Sequence, residues 1–546
     1  MNGPRTSLGN RSPSSALAWV HVACGSFVVL GILLRVIQYA DDASQRLDEA
    51  LLSYGIRNHV LSDLLTRPLP NDQTAPPGVI VVEKLSVQLL GENDLAFRLF
   101  AFSASVSALV VFWWLAEQIL LPLGRVIAVA LFAFAPSIID YAAQAKQYSS
   151  DVAFAVLSTS AGVWLLSRPE SRRRAWFTCL AGICAAFFSQ PAVFVLGAVS
   201  LVMLVHERRQ GPIPRTIFFV CGVWWVACSV SAVFALSRMT DPLHDYLLRF
   251  WVAGFPPVPL SAASLVWPVR CLTRLFGLGG TASLAYPGAR LYVGLAVLGG
   301  WSLWGRKRSA AGMILGPVLL TLLAAVAHQY PFSDRLILFL VPGLLLAAAE
   351  GIDCLTSRAM RWFGRPSLLL AAALTAPALY PVASSPPPYR VEDLKPVLAH
   401  LQSQRRAGDK VYVHYGGEFA FRYYAEDYNL EPTDYSIGGC YRGDNRQYLR
   451  EVDGFRGAPR LWLVFSHEID PYHERQDILG YLDMIGIQRD AVVSSARATR
   501  RLSPTDEVGS AKLYLYDLTP TATSSVILPA NYPLNNPSLD PRFLCY

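Results

Sequence analysis

Asp41, Asp42, Asp48 and Glu49 place four carboxylates within nine residues, directly after the first long apolar run of the chain. Burying a carboxylate in hydrocarbon is costly, so acids at this point should face water, a cavity or a partner charge. A positioned carboxylate that accepts the proton of an attacking hydroxyl contributes roughly 10²–10⁴-fold in rate. Asp48 and Glu49 are therefore the candidate catalytic residues. Neighbouring helical side chains point about 100° apart, so the two are not expected to do the same job.

Chemistry that expels an anion also needs cations to steady it. Arg335, Lys146 and Arg98 stand beside the ends of apolar runs on one side of the chain's alternating pattern, where few other basic residues occur. Arg335 is the first candidate, because a guanidinium can hold a phosphate through two parallel bonds, and Lys146 is the second. Tyr148 completes the set in Gln144-Ala145-Lys146-Gln147-Tyr148, and Asp151 is a weaker candidate at a span entrance.

Each has a structural alternative. Asp41 and Asp42 would be solvated caps of the first span, and Asp48 an acid favoured by the helix dipole. Glu49 would be a structural partner, and Arg98 would pair with Glu92 or Asp94. Lys146 would snorkel to lipid headgroups, Arg335 would pair with Asp334, and Tyr148 would join an aromatic belt. His59, His244 and His328 lack a second histidine four residues on, and none of the nine cysteines has zinc-site spacing, so no metal site is expected. A Cys440–Cys545 disulfide is compatible with an oxidising compartment.

The elements that must position these groups are membrane helices. The 546-residue chain is 53% hydrophobic and 16% charged, against about 25% charged for a soluble domain. Apolar runs of spanning length fall near 18–40, 97–120, 124–140, 149–167, 174–189, 191–205, 214–236, 288–304, 309–327, 334–354 and 366–383. The expectation is a mainly α polytopic bundle of about eleven spans. With the N-terminus in the cytoplasm, every inside segment carries the excess of arginine, including Arg172 to Arg174 and Arg306 to Arg308. The net charge of +7 is thus a topology signal, with no nucleic-acid motif beside it.

The expected domains are a cytoplasmic tail (1–17), a membrane domain (18–383), an extracytoplasmic α/β domain (390–520) and a C-terminal tail (521–546). The membrane domain carries two long outer loops, 41–96 and 237–287. A helix over 47–57 should lay Leu47, Leu51, Tyr54 and Ile56 against the membrane. A second interfacial helix should carry Arg270 and Arg274. Pro386-Pro387-Pro388 reads as a linker. Lys410–Tyr415, Leu461–Phe465 and Lys512–Tyr516 read as strands, with helices over 391–404 and 471–486. No nucleotide-binding glycine pattern follows any of these strands.

Asp48-Glu49-Ala50, then Ala75-Pro76-Pro77, then Leu89-Leu90-Gly91-Glu92 with Arg98-Leu99, resembles the first outer loop of the GT-C glycosyltransferases. Within these it resembles the ArnT-like and protein O-mannosyltransferase-like group. Tyr330-Pro331-Phe332-Ser333-Asp334-Arg335-Leu336 followed by Pro342 resembles that group's late-span motif. The resemblance covers about residues 15–385. It implies transfer of a sugar from a polyprenyl-phosphate donor to a lipid, glycan or protein acceptor at the outer face of a bacterial inner membrane. Asp48 would be base or acceptor organiser. Relatives often carry lysine before the Pro-Pro pair, where this chain has Ala75. No cofactor is required by such chemistry, though a divalent ion held by Asp48 or Glu49 and the lipid phosphate is compatible with it.

Two other readings compete. A transporter or lipid flippase would keep ionisable groups near the bilayer midplane, whereas these spans are almost free of charge. A non-enzymatic assembly protein would use the C-terminal domain as its docking part.

Overall fold

The computed structural model describes residues 13–257, 261–277, 283–441, 444–468, 473–494 and 509–519, with side chains from residue 18 onward. Most of the expected N-terminal tail, the 521–546 tail and Cys545 lie outside these residues.

All eleven apolar runs are helical. Among the described residues, seven helices are long and apolar enough to cross a membrane: Ala18–Ala40, Asp94–Ile119, Tyr148–Leu166, Arg215–Leu236, Arg308–Val326, Asp334–Phe363 and Arg365–Ser384. The pair Pro122–Ala133 and Pro136–Ala143 makes an eighth if counted as one span bent by 51°. Pro136 accounts for the break, since it lacks an N–H and pushes Ala135 into extended backbone. The other three runs fall short for visible reasons. Arg172–Phe188 has 17 residues and opens on three arginines. Ala192–Gln210 ends in His206-Glu207-Arg208-Arg209. Ala289–Arg306 is diluted by glycine, tryptophan and terminal arginines. That last helix still packs intimately on Val341–Phe363: a Cβ on Gly299 would collide with the Ala347 carbonyl, and one on Gly351 with that of Leu295. Small residues let membrane helices approach backbone to backbone in this way.

The soluble domain is a five-stranded sheet of β1 (Lys410–Val413), β2 (Tyr435–Ile437), β3 (Leu461–Phe465), β4 (Ile487–Val493) and β5 (Lys512–Asp517), in the order β2-β1-β3-β5-β4. β1 runs parallel to both β2 and β3, while β5 is antiparallel to β3 and β4. Helices Lys395–Gln404, Glu418–Tyr424, Asn445–Asp453 and Glu474–Ile485 accompany the sheet. Cys440 is disulfide-bonded.

Two expectations about the junction need correction. The stretch after the prolines is pinned to the end of the first span: Gln38 and the Tyr389 backbone exchange bonds of 3.0 and 2.7 Å. Arg390 grips Asp41 at 2.6 and 2.8 Å and leaves it 8% exposed, so Asp41 is not a solvated cap, whereas Asp42 is reached by Lys395 at 3.0 Å and stays 45% exposed. Helix Leu47–Asn58 likewise turns its apolar side to protein. Leu47, Leu51 and Ile56 are buried, and Ala50, Leu52 and Ile56 share a core with Val397, Leu401 and Phe421 of the soluble domain. That domain offers the apolar face a drier partner than the headgroup layer would.

Candidate active site

Asp48 stands in the first turn of helix Leu47–Asn58 and forms an ion pair with Arg335. The chain delivers Arg335 through Asp334, which holds a left-handed φ of 47° at the start of the 3-10 turn Asp334–Leu340. Both partners keep a window on solvent, with Asp48 33% and Arg335 19% exposed. The Arg335 guanidinium lies 5.4 Å from the Trp251 ring centre and 5.8 Å from that of Tyr148, within cation–π range. Its Nε is buried without a hydrogen-bond partner, and the side chain reaches solvent through its other atoms. Tyr148 is buried edge-on to Tyr141 at 5.1 Å and is not a belt aromatic.

Burial alone would raise the Asp48 carboxyl, but Arg335, Lys146 and His467 outweigh it and hold the group below its ordinary range. Asp48 is therefore ionised, as a proton acceptor must be. Lys146 does not snorkel. It is buried and donates a 2.7 Å bond to Gln73 Oε1, two residues before Ala75. Burial pushes its amine down to about 8, with Asp48 pulling the other way and Arg335 adding to the fall. Behind it, burial lifts the Glu83 carboxyl to about 8 against the pull of Lys146.

Glu49 has a different environment. Its Oε1 accepts from Arg98 Nε (3.1 Å) and Ala145 N (2.8 Å), and its Oε2 from Arg46 N (3.1 Å) and Arg98 Nη2 (3.4 Å). Arg98 also donates to the Ala43 and Ser44 carbonyls at 2.6 and 3.1 Å. Arg98 thus pairs with Glu49, not with the acids nearest in sequence. Glu92 binds Arg57 at 2.9 Å, and Asp94 takes Lys395 (2.8 Å) and the Tyr424 hydroxyl (2.6 Å). Beside this lock, Arg46 makes a bidentate pair with Asp140 at 2.7 and 3.0 Å.

The structure brings Asp48, Arg335, Lys146 and Tyr148 to one place and sets Glu49 and Arg98 just behind it. Sequence reasoning missed Gln73, Trp251, Glu392 and His467. Arg46 sat inside the acid stretch and could have been found there. Among the described residues no group of three or more His, Cys, Asp or Glu side chains is placed to hold a metal ion. The arrangement can take a proton at Asp48 while Arg335 and Lys146 hold an anion beside it.

Residues 74–235 match the family model described as dolichyl-phosphate-mannose-protein mannosyltransferase. The matched segment includes Arg98, Lys146 and Tyr148. No curated protein sequence matches the chain. Among solved structures, the archaeal oligosaccharyltransferase AglB from Archaeoglobus fulgidus, in complex with an inhibitory peptide and a dolichol-phosphate, is 11% identical with a TM-score of 0.48, covering 89% of this chain and 75% of its own. ArnT from Cupriavidus metallidurans in the apo state is 10% identical with a TM-score of 0.48, and bound to undecaprenyl phosphate it is 11% identical with a TM-score of 0.47. Both ArnT matches cover 92% of this chain and 98% of that one. The family match spans under a third of the 546-residue chain, and over that stretch the chain is similar to dolichyl-phosphate-mannose-protein mannosyltransferases.

Proposed function

We propose that this chain is a polytopic membrane glycosyltransferase of the GT-C kind, moving a sugar from a polyprenyl-phosphate donor to a hydroxyl of a lipid, glycan or protein acceptor at the outer face of a bacterial inner membrane. The acceptor oxygen bonds to the anomeric carbon as the carbon–phosphate-oxygen bond breaks. The hydroxyl proton passes to Asp48, and the bond's electron pair leaves with the lipid phosphate. Arg335 and Lys146 hold that phosphate, and Tyr148 and Trp251 flank the Arg335 guanidinium. The carrying observation is the half-open Asp48–Arg335 pair, exposed on both sides and flanked by buried Lys146.

Glu49, with Arg98, positions the loop that presents Asp48. Lys146 stands in for the lysine that relatives carry before the Pro-Pro pair, since it reaches back to Gln73 beside Ala75. The arginine-rich segments between spans support a cytoplasmic N-terminus and an outer soluble domain. The disulfide at Cys440 supports an oxidising surrounding for that domain.

Mass spectrometry of glycolipids and surface glycans tests the reading. Wild-type cells should contain a species one sugar heavier than its precursor, and cells carrying Asp48→Asn should accumulate the precursor. An identical glycan profile in the two would reject it.

A further inference from the structure

The soluble domain does more than cover the first loop. In its sheet the strand order reverses at β1, which pairs in parallel with β2 on one side and β3 on the other. Ligand-binding groups of open α/β sheets gather beyond the carboxyl ends of strands at such a reversal. Here the ends of β1 and β3 are followed by His414-Tyr415-Gly416-Gly417 and Ser466-His467. The two turns touch: a Cβ on Gly416 would lie 2.8 Å from the carbonyls of both Ser466 and His467.

This crevice is connected to the membrane domain at the catalytic rim. Glu392 Oε1 lies 2.7 Å from His467 Nδ1, and Glu392 Oε2 accepts the Leu47 N–H at 3.1 Å. One carboxylate thus joins the imidazole to the residue that precedes Asp48. Burial would raise the Glu392 carboxyl, but His467, the Leu47 N–H and Arg46 hold it down, so it acts as an acceptor on both sides. His467 is also among the charges that act on Asp48. Glu392 and His467 both occupy left-handed backbone, at φ 58° and 53°, a conformation uncommon for non-glycine residues. Strained backbone of this kind clusters at functional sites, where surrounding structure enforces it.

We propose that His467, clamped by Glu392, is a positioning residue of the transfer site supplied by the soluble domain, setting the Asp48 carboxylate against the acceptor hydroxyl through the Glu392–Leu47 contact. This rests on the transfer reading above and adds to it a residue from the soluble domain. The lipid donor is held by Arg335 and Lys146, so His467 should affect turnover and leave donor binding alone.

The test uses the full chain. Washed membranes of producing cells contain native donor and acceptor, and the rate of product formation is followed by mass spectrometry. Binding of undecaprenyl phosphate to the purified protein is measured alongside. His467→Ala should slow product formation by ~10-fold or more, leave undecaprenyl phosphate binding unchanged, and recover in part when imidazole is added. His467→Gln fills the space with a polar side chain, so it should bind the lipid phosphate, stay slowed, and show no response to imidazole. A wild-type rate in His467→Ala overturns the proposal. So does a loss that weakens undecaprenyl phosphate binding equally and ignores imidazole, because His467 would then only hold the domains together. Full product from Asp48→Asn would bring down the transfer reading itself, a result distinct from either of these.

Discussion

Asp48 and Glu49 are adjacent carboxylates on one helix, each paired with an arginine, and they could hardly be used more differently. The Glu49–Arg98 pair is 2% and 4% exposed, against 33% and 19% for Asp48–Arg335. Four donor contacts converge on Glu49, while Arg335 retains an unpartnered Nε. A charge pair buried with its lone pairs satisfied fixes geometry. One left half-open can exchange its partner for a substrate. The fold separates these roles by the 100° step between neighbouring helical positions.

The comparison can be broken most sharply at Asp48. Asp48→Asn should cut transfer by roughly 10²–10⁴-fold, while the melting temperature of the purified protein stays near wild type, since a partly exposed pair contributes about 1 kcal/mol or less. At Glu49 the balance should invert. Glu49→Gln leaves Arg98 buried without its counter-charge, and losing one partner of a buried pair costs ~3–5 kcal/mol. Thermal unfolding should therefore shift strongly, and activity should fall in step with the folded fraction.

Arg335→Ala should act on the donor. Losing charge-assisted hydrogen bonds worth about 1.5–3 kcal/mol should weaken undecaprenyl phosphate binding by ~10–100-fold, read by titration of the purified protein. The smallest effect concerns pH. With its amine held at about 8, Lys146 is charged below that pH and neutral above it. Glu83, also at about 8, gains negative charge over the same interval. Asp48, Arg335 and Glu49 are the other charges acting on this amine. Both changes oppose an anion, so undecaprenyl phosphate binding should weaken as pH rises from 7 to 9. Lys146→Arg, always protonated, should flatten that decline to the part due to Glu83.

Much of this was legible in the sequence, because apolar runs and arginine-rich turns reflect the bilayer directly. The helices, the acid stretch and the basic residues beside the site could all be read. Pairing was harder. Arg98 sits one turn from Asp94 and yet bonds to Glu49, because Lys395 and Tyr424 arrive from the far end of the chain and take Asp94. Strand β2 has three residues and β4 opens on the exposed run Ile487-Gln488-Arg489, so neither shows the alternation that marks a strand. His467 carries no local signal at all. Its relevance comes from a parallel sheet whose end happens to meet the first loop through Glu392.

The junction between the domains has a consequence for deletion mapping. Arg390 and Lys395 neutralise Asp41, Asp42 and Asp94, while Asp393 accepts from both the Ser44 amide and its hydroxyl. A chain cut before residue 390 would strip three acids of their countercharges at once, and the opening loop would be pushed apart by its own repulsion. Such a truncation would report the collapse of that loop, so the contribution of the soluble domain has to be measured by point substitution at its inner edge.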